Sequence, residues 1–439
     1  MNKGLYIKNY GCQMNVHDAT RMARLLHDSM GYESVEEPEA ADLIILNTCH
    51  IREKAAEKLF SELGRLRKSV AGRDVIFAVG GCVGQAEGEN VFKRAPFVQL
   101  VFGPQNYHRL PEMLTRLKQQ GGRIGDYEEA VDAKFDALPA ITAPGSISSV
   151  VVQEGCDRFC TYCVVPFTRG REWSRPVRAI LEEIAGLVAG GAKEIHLLGQ
   201  NVNAYRGVDE DGVRYDLALL IRRVALLAGV ERIRFVTSHP ADMNDDLVEI
   251  FSQVEGLCPY LHLPIQSGSD RILQRMERGH TAAEYLGWID KLRQAAPDIA
   301  LASDFIVGFP GESEADFQQT LDLAERVAFD HAYSFIFSAR PGTVAAGMEG
   351  MVPLVVAQER LARLQERLGA AQLKNNQARV GCEESVLVEG PSKRDGGVLT
   401  GRTVHNRTVN FSGDAALIGQ IVRVQVTEGL ANSLRGRLI

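Results

Sequence analysis

Between residues 147 and 337 the chain repeats one pattern: a short apolar run, a turn, then an amphipathic stretch. Ser149–Gln153, Glu194–Leu198, Arg232–Thr237, Tyr260–Leu263, Ile299–Val307 and Ala332–Phe337 read as strands. Val177–Ala189, Leu217–Ala228, Asn244–Val254, Ala282–Ala295 and Glu314–Val327 have helical spacing. Parallel neighbours need a crossover of about a dozen residues or more, usually a helix, so this alternation dictates parallel strands. Six such units predict a partial (βα)6 TIM-like barrel whose working face is the carboxyl end of its strands.

The first 120 residues repeat the theme on a smaller scale. Leu5-Tyr6-Ile7, Leu43–Leu46, Val75–Val79 and Val98–Phe102 read as buried strands, with helical stretches at Asp18–Met30, Arg52–Lys68 and Tyr107–Lys118. A small parallel α/β domain follows from that order. Residues 121–146 lack periodicity and read as a linker. After the barrel, 354–380 reads as one long amphipathic helix. Short β-rich runs from about Cys382 then predict a small β-barrel. The expected division is therefore 1–120, a linker at 121–146, 147–376 and 377–439, all of it α/β except the last part.

Cysteine placement adds chemistry to this frame. Cys156, Cys160 and Cys163 lie within eight residues at C-x3-C-x2-C spacing, on the loop after the first barrel strand. Three thiolates are one ligand short of a closed tetrahedral zinc site. They suit a [4Fe-4S] cluster with one iron left open, while a zinc knuckle borrowing a distant fourth ligand is the alternative. Cys12, Cys49 and Cys82 each follow a different strand of the amino-terminal domain. In a parallel open sheet those strand ends share one edge, so a second three-thiolate site is expected there. Gly11, Gly80 and Gly81 are read as letting the backbone approach the metal. Cys258 and Cys382 have no cysteine partners at ligand spacing and read as packing residues.

Composition sets outer limits. At 439 residues, 45% hydrophobic and 24% charged, the chain can bury a core in each of about three domains. No apolar run is long enough to span a bilayer, and the first residues show no signal-type segment, so a cytoplasmic chain without membrane contact is expected. There, cysteine clusters read as metal sites rather than disulfides. The formal net charge of -7 argues against a generally basic surface for nucleic acid. Only 377–439 is net positive, with eight Lys/Arg against six Asp/Glu, which places any polyanion-binding module there.

Several motifs carry a family resemblance. Tyr10-Gly11-Cys12-Gln13-Met14-Asn15, Asn47-Thr48-Cys49-His50-Ile51-Arg52-Glu53-Lys54 and Gly80-Gly81-Cys82-Val83 resemble the amino-terminal domain of the methylthiotransferases, radical S-adenosylmethionine (SAM) enzymes. Cys160-Thr161-Tyr162-Cys163-Val164-Val165-Pro166 with Thr168-Arg169-Gly170 resembles their SAM-cluster loop. Gly390-Pro391-Ser392-Lys393, Gly401-Arg402-Thr403 and Asn406-Arg407 resemble their terminal TRAM domain. Within the family the likeness is greatest to the branch acting on N6-dimethylallyladenosine beside the tRNA anticodon.

That resemblance implies two [4Fe-4S] clusters and SAM as cofactors. Cys156, Cys160 and Cys163 would hold the cluster that binds and cleaves SAM; Cys12, Cys49 and Cys82 would hold the one that presents sulfur. The C2–H bond of adenine is neither acidic nor polarised, so no residue is expected as acid or base and a radical route is required. Tyr162 would contact the SAM adenine. Gln200, Asn201, Ser238, Gln266 and Asp304 follow or end barrel strands and would contact SAM or substrate, with loop structure as the competing reading. Lys393, Arg394, Arg402 and Arg407 would touch tRNA phosphates, or form a solvated face. The implied partners are tRNA, a flavodoxin- or ferredoxin-like electron donor and a sulfur source, with a monomer as the default state. Competing functions are sibling methylthiotransferases acting on threonylcarbamoyl-adenosine or a ribosomal-protein aspartate, and a non-catalytic iron–sulfur RNA-binding protein.

Overall fold

The computed structural model describes residues 3–50, 55–127, 133–136, 138–139, 145–392 and 397–439. They divide into two compact units. One comprises Met1–Ile141, Glu154–Phe159 and Cys163–Trp173; the other comprises Thr142–Gln153, Cys160–Tyr162 and Ser174–Ile439.

In the first unit, β1 (Lys3–Tyr10), β2 (Tyr32–Ser34), β3 (Leu43–Thr48), β4 (Ile76–Gly80), β5 (Leu100–Phe102) and β6 (Ile124–Asp126) form one parallel sheet in the order β2-β1-β3-β4-β5-β6. Successive side chains of a strand face opposite ways, and β3 shows why it needs apolar residues at both parities. Ile44 and Leu46 pack with Phe77, Val79 and Leu59, Leu63 and Leu66 of the helix Ala55–Ser69. Leu43 and Ile45 pack on the other face with Met22 and Leu26 of Gln13–Met30 and Leu110 and Leu114 of Leu110–Gln120. Each such side chain contributes about 1.5–3 kcal/mol on burial.

The strand order reverses direction between β1 and β3. The chain leaves β1 for β2 on one side and returns to β3 on the other. Such a switch point, at the carboxyl ends of β1 and β3, is the usual ligand position in sheets of this kind. The helix after β1 starts at Gln13, earlier than the apolar spacing indicates, and stops at Gly31 in the left-handed conformation (φ 69°). Two elements lie outside the strand readings: β2, and β6 within the stretch read as a linker.

In the second unit, β7 (Ile147–Val151), β8 (Glu194–Leu198) and β9 (Arg232–Phe235) form one parallel sheet. A second consists of β10 (Tyr260–His262), β11 (Ala300–Val307) and β12 (His331–Ile336). A parallel bridge between Ile233 and Leu257 links them. Helices Val177–Ala189, Leu217–Ala225, Asp245–Gln253, Ala282–Ala295 and Glu314–Val327 intervene. Thr281 with Glu284 and Ser313 with Asp316 form reciprocal capping boxes that fix where two of them begin. This is the expected partial barrel.

The helix Leu354–Gln377 leads into a closed barrel of β13 (Glu383–Pro391), β14 (Val398–Thr403), β15 (Thr408–Ser412), β16 (Ile421–Gly429) and β17 (Leu434–Leu438), ordered β13-β14-β15-β17-β16. Val386, Val388, Val409, Phe411, Val424 and Leu434 fill it. It docks on the amino-terminal ends of the large barrel's strands. Arg232 Nη2 donates to the Ser385 carbonyl (2.9 Å), and Arg234 Nη1 to that of Val404 (3.0 Å). Arg234 Nε also donates to Glu194 Oε1 (2.9 Å). Burial works to raise the Glu194 carboxyl, but His196 and Arg234 hold it well below the usual range. Among the described residues no helix is long and apolar enough to cross a membrane.

Candidate active site and metal centres

In the first unit the strand register brings three cysteine-bearing loops to one edge. Tyr10 lies opposite Thr48, and Asn47 opposite Gly80, so the chain leaves β1, β3 and β4 almost level. Cys12 then caps the helix Gln13–Met30, Cys49 directly follows β3, and Cys82 sits in the first turn of Gly81–Glu87. The loops are tied together. The Cys49 N–H donates to the Tyr10 carbonyl (2.8 Å), and Asn47 Nδ2 to the Asn15 carbonyl (2.8 Å). The Cys12 thiol donates to Asn15 Oδ1 (3.2 Å).

The glycines act differently from the expectation. A Cβ on Gly11 (φ 146°) would lie 2.6 Å from the Cys49 Cβ, and one on Gly81 (φ 80°) 2.4 Å from Asn47 Oδ1. Gly80 avoids the Phe102 ring. They let loop pack on loop. Cys12 is exposed, whereas Cys49 and Cys82 are buried. A hydrogen bond with Cys49, helped by the Arg169 charge, lowers the Cys12 thiol to about 6. Burial pushes the Cys82 thiol up, with the Arg169 charge pulling it back. Among the described residues no three His, Cys, Asp or Glu side chains surround a single-ion position. A cubane spreads its thiolates over separate irons, and this donor set fits one.

Behind these thiols lies a buried ionic network that sequence reading missed. Arg169 Nη2 donates to Asp18 Oδ2 (2.7 Å) and Nη1 to Glu154 Oε1 (3.2 Å). Lys134 Nζ donates to Glu154 Oε1 (2.7 Å) and lies 3.8 Å from Asp18 Oδ1. All four side chains are at most 3% exposed, so each charge depends on its partners. Burial alone would raise Asp18, but Arg169 and Lys134 hold it well below the carboxylate range. The Arg169 motif was visible in sequence; Lys134, from the apparent linker, gave no signal.

The second group occupies one continuous loop. Gly155 (φ 73°) precedes Cys156 because a Cβ there would meet the Arg171 carbonyl oxygen at 1.9 Å. The Cys156 N–H donates to the Gly170 carbonyl (3.2 Å), and the Val165 N–H to Cys163 Sγ (3.5 Å). In the second unit, Thr161 bonds to the turn after Asp270–Arg275, through its N–H to the Met276 carbonyl (3.1 Å) and its hydroxyl to that of Arg275 (3.0 Å). Cys160 Sγ lies 3.4 Å from Arg278 Nη1 and 3.9 Å from His239 Nε2. The Tyr162 ring meets Phe309 edge to face at 6.5 Å.

The polar residues read from strand-end position all lie in the second unit. Gln200 and Asn201 follow β8, their N–H groups donating to Gln153 Oε1 (2.9 and 3.1 Å). Asn201 Nδ2 donates to Asp242 Oδ2 (2.8 Å), leaving its buried Oδ1 without a partner among the described residues. Ser238, after β9, is buried with its hydroxyl likewise unpartnered. Gln266 follows β10 at φ 74° and bridges to β11 through its backbone. Asp304 departs from the expectation: it lies within β11 rather than at its end, 3.3 Å from His262 Nε2. Thr237 (φ 69°) joins Gln266 as a non-glycine residue held at positive φ after a strand of the second unit, which stores backbone strain there.

The terminal arginines separate. Lys393 and Arg394 lie outside the described residues. Arg402 is partly exposed and pairs through Nε with Glu389 (2.8 Å). Arg407 is buried, with Nη2 on Asp330 and Nε on Asn376 Oδ1 (3.2 Å). Its charge is consumed inside the fold, so the reading of Arg407 as a phosphate contact is corrected to a structural one.

Comparison with known proteins adds a family. Residues 4–103 match Uncharacterized protein family UPF0004, 150–324 the Radical SAM superfamily and 377–439 the TRAM domain. The tRNA-2-methylthio-N(6)-dimethylallyladenosine synthase of Magnetococcus marinus is 64% identical over 438 residues, covering 100% of both chains. The chain is a member of that synthase family. The synthase of Methylococcus capsulatus is 52% identical, covering 100% of this chain and 96% of its own. As a member, the chain is a radical SAM enzyme whose cofactors include SAM and a [4Fe-4S] cluster. The fold is also that of the radical SAM methyltransferase TsrM from Kitasatospora setae, with TM-score 0.57 at 13% identity, covering 79% of this chain and 74% of that one. The cobalamin-dependent radical enzyme OxsB gives TM-score 0.55 at 15% identity, this chain covering 56% of its length.

Proposed function

We propose that this enzyme converts N6-dimethylallyladenosine beside the tRNA anticodon to its 2-methylthio derivative, in the cytoplasm. Full-length identity of 64% to a synthase of that name carries the substrate assignment, and favours it over the threonylcarbamoyl-adenosine and ribosomal-protein siblings. Membership in an enzyme family weighs against a non-catalytic iron–sulfur protein.

Cys156, Cys160 and Cys163 hold the SAM-binding cluster, and Cys12, Cys49 and Cys82 hold a second one. When bound, the clusters and SAM supply a hydrogen-abstracting radical, the sulfur and the methyl group. The remaining work belongs to the chain. Tyr162 offers a ring edge-locked against Phe309 as a platform for the SAM adenine. The Asn201 Oδ1 and Ser238 hydroxyl, without partners among the described residues, are available to orient a ligand, beside Gln200, Gln266 and Asp304. Arg402, with Lys393 and Arg394, contacts tRNA. A flavodoxin- or ferredoxin-like protein delivers electrons, and a separate donor restores sulfur. The departure of β1, β3 and β4 from one edge, with the loops after β1 and β3 bonded to each other, supports a second cluster.

Replacing Cys12, Cys49 and Cys82 together by Ala tests this. Iron should fall from about eight to about four per chain. Methylthio product should vanish while SAM is still cleaved to 5′-deoxyadenosine. Undiminished product would refute the second cluster. Nucleoside analysis of tRNA from a deletion strain, showing dimethylallyladenosine without its methylthio group, checks the substrate.

A further inference from the structure

We propose that Arg278 and His239 are a pair of N–H donors aimed at the Cys160 sulfur that set the reduction potential of the cluster this cysteine holds. The inference rests on the assignment of Cys160 to the SAM-binding cluster.

Arg278 reaches the sulfur through an unusual turn. The helix Asp270–Arg275 ends in Met276, Glu277 takes the left-handed conformation (φ 54°), and Gly279 does so again (φ 64°). This turn places the side chain inward, where the residue is 4% exposed. One nitrogen, Nη2, donates to the Pro264 carbonyl (2.6 Å), and the other, Nη1, points at Cys160 Sγ (3.4 Å). The carbonyls of Met276 and Arg275 in the same turn bond Thr161, the residue after Cys160. Guanidinium and thiol are therefore held by one short stretch of chain.

His239 approaches from the end of β9. Its Nδ1 accepts the Ala241 N–H (3.2 Å), which leaves the proton of a neutral ring on Nε2, the nitrogen 3.9 Å from the sulfur. Asn203 fixes the backbone of His239 from both sides: Nδ2 donates to its carbonyl (2.9 Å), and Oδ1 accepts its N–H (2.8 Å). The ring is 5% exposed. Asn203 lies in the stretch that follows β8, so this stretch positions a histidine.

A buried cation is costly unless it meets negative charge. Three thiolates on a [4Fe-4S] cluster supply that charge, and one-electron reduction increases it. Donors to a ligand sulfur stabilise the more negative reduced state and raise the potential. Arg278 adds a full charge and His239 a dipole, so Arg278 has the larger effect. Both are positioning residues acting through Cys160.

The test uses the full chain carrying Cys12→Ala, Cys49→Ala and Cys82→Ala, reconstituted anaerobically, so that one cluster gives the whole signal. Iron content and the reduced fraction at fixed potentials, read by electron paramagnetic resonance, are compared with and without Arg278→Met, Arg278→Lys and His239→Asn. Arg278→Met should lower the reduced-to-oxidised ratio about tenfold, about 59 mV for a one-electron couple. Arg278→Lys should shift less, and His239→Asn about threefold in the same direction, all at full iron. Full iron with an unchanged ratio in Arg278→Met and His239→Asn overturns the inference alone. Should Arg278→Met lose its iron, Arg278→Lys and His239→Asn decide: an unshifted ratio in both overturns it. A triple-alanine background without iron overturns the assignment of Cys160, and this inference with it.

Discussion

Cys156, Cys160 and Cys163 share one loop, whereas Cys12, Cys49 and Cys82 come from the ends of three strands. The first arrangement depends on local conformation: Gly155 before the first cysteine, and bonds from Gly170 and the 275–276 turn. The second is only as good as the register of a parallel sheet and the packing of its loops. A one-residue slip in a strand turns its side chains to the opposite face, which would disperse the convergent site and leave the local one untouched. Two donor sets of equal size should therefore fail under different perturbations.

The largest contrast lies in the ligands. Cys160→Ala should abolish both 5′-deoxyadenosine and methylthio product, whereas the triple substitution at Cys12, Cys49 and Cys82 should abolish only the latter. Chromatography of the reaction with SAM and a strong reductant reads both. Residual SAM cleavage in Cys160→Ala would erase the proposed division between the sites.

Next comes the ionic network behind the convergent site. Arg169→Met takes the guanidinium away from both Asp18 and Glu154 and should cost about 3–5 kcal/mol, measured by urea unfolding of the apoprotein. Its pH dependence has a definite sign. The Asp18 carboxyl is depressed in the folded chain, so its contribution is complete above the unfolded value of 3.8 and is lost as pH falls through the lower folded value. Asp18→Asn should destabilise at neutral pH and flatten that part of the acid limb. An acid limb identical to wild type would show that the network does not carry the charge assigned here.

Gly11→Ala is subtler. The new methyl would meet the Cys49 Cβ on a backbone at φ 146°, costing about 1–3 kcal/mol and separating two of the three sulfurs. Iron should drop toward about four per chain while SAM cleavage continues. Retention of about eight irons would show that the loops can yield without losing the cluster.

The same difference explains what sequence reveals. The barrel was legible because largely apolar runs alternate with amphipathic stretches, and some of the helices carry their own caps, as Thr281 with Glu284 and Ser313 with Asp316 show. That the loops carrying Cys12, Cys49 and Cys82 leave the sheet at one edge was legible because βα alternation forces parallel strands, and parallel strands share their carboxyl edge. Short edge strands were not: Tyr32–Ser34 and Ile124–Asp126 gain their order from a neighbour's backbone, which leaves little mark on side-chain type. Buried charge was equally hidden. Lys134, Arg278 and Arg407 are polar letters in polar surroundings, and only the fold reveals the carboxylate or sulfur that each one meets. Arg407 shows the error this produces, since it was counted with solvent-facing cations.

That error yields the smallest test. The terminal β-barrel sits at the amino-terminal ends of the large barrel's strands, away from the ligand-facing end. The eight residues of β11 alone span about 26 Å, so one ligand touching both ends must be macromolecular, as tRNA is. Arg402, partly exposed and offset by Glu389, can still reach a phosphate; Arg407, locked on Asp330, cannot. In tRNA-binding titrations over a range of salt, Arg402→Gln should reduce the slope by less than about one counterion. Arg407→Gln should leave the slope of the folded protein unchanged and lower its unfolding midpoint instead. A clear slope change in Arg407→Gln without loss of stability would return that residue to the RNA surface and remove the contrast between buried and exposed arginines.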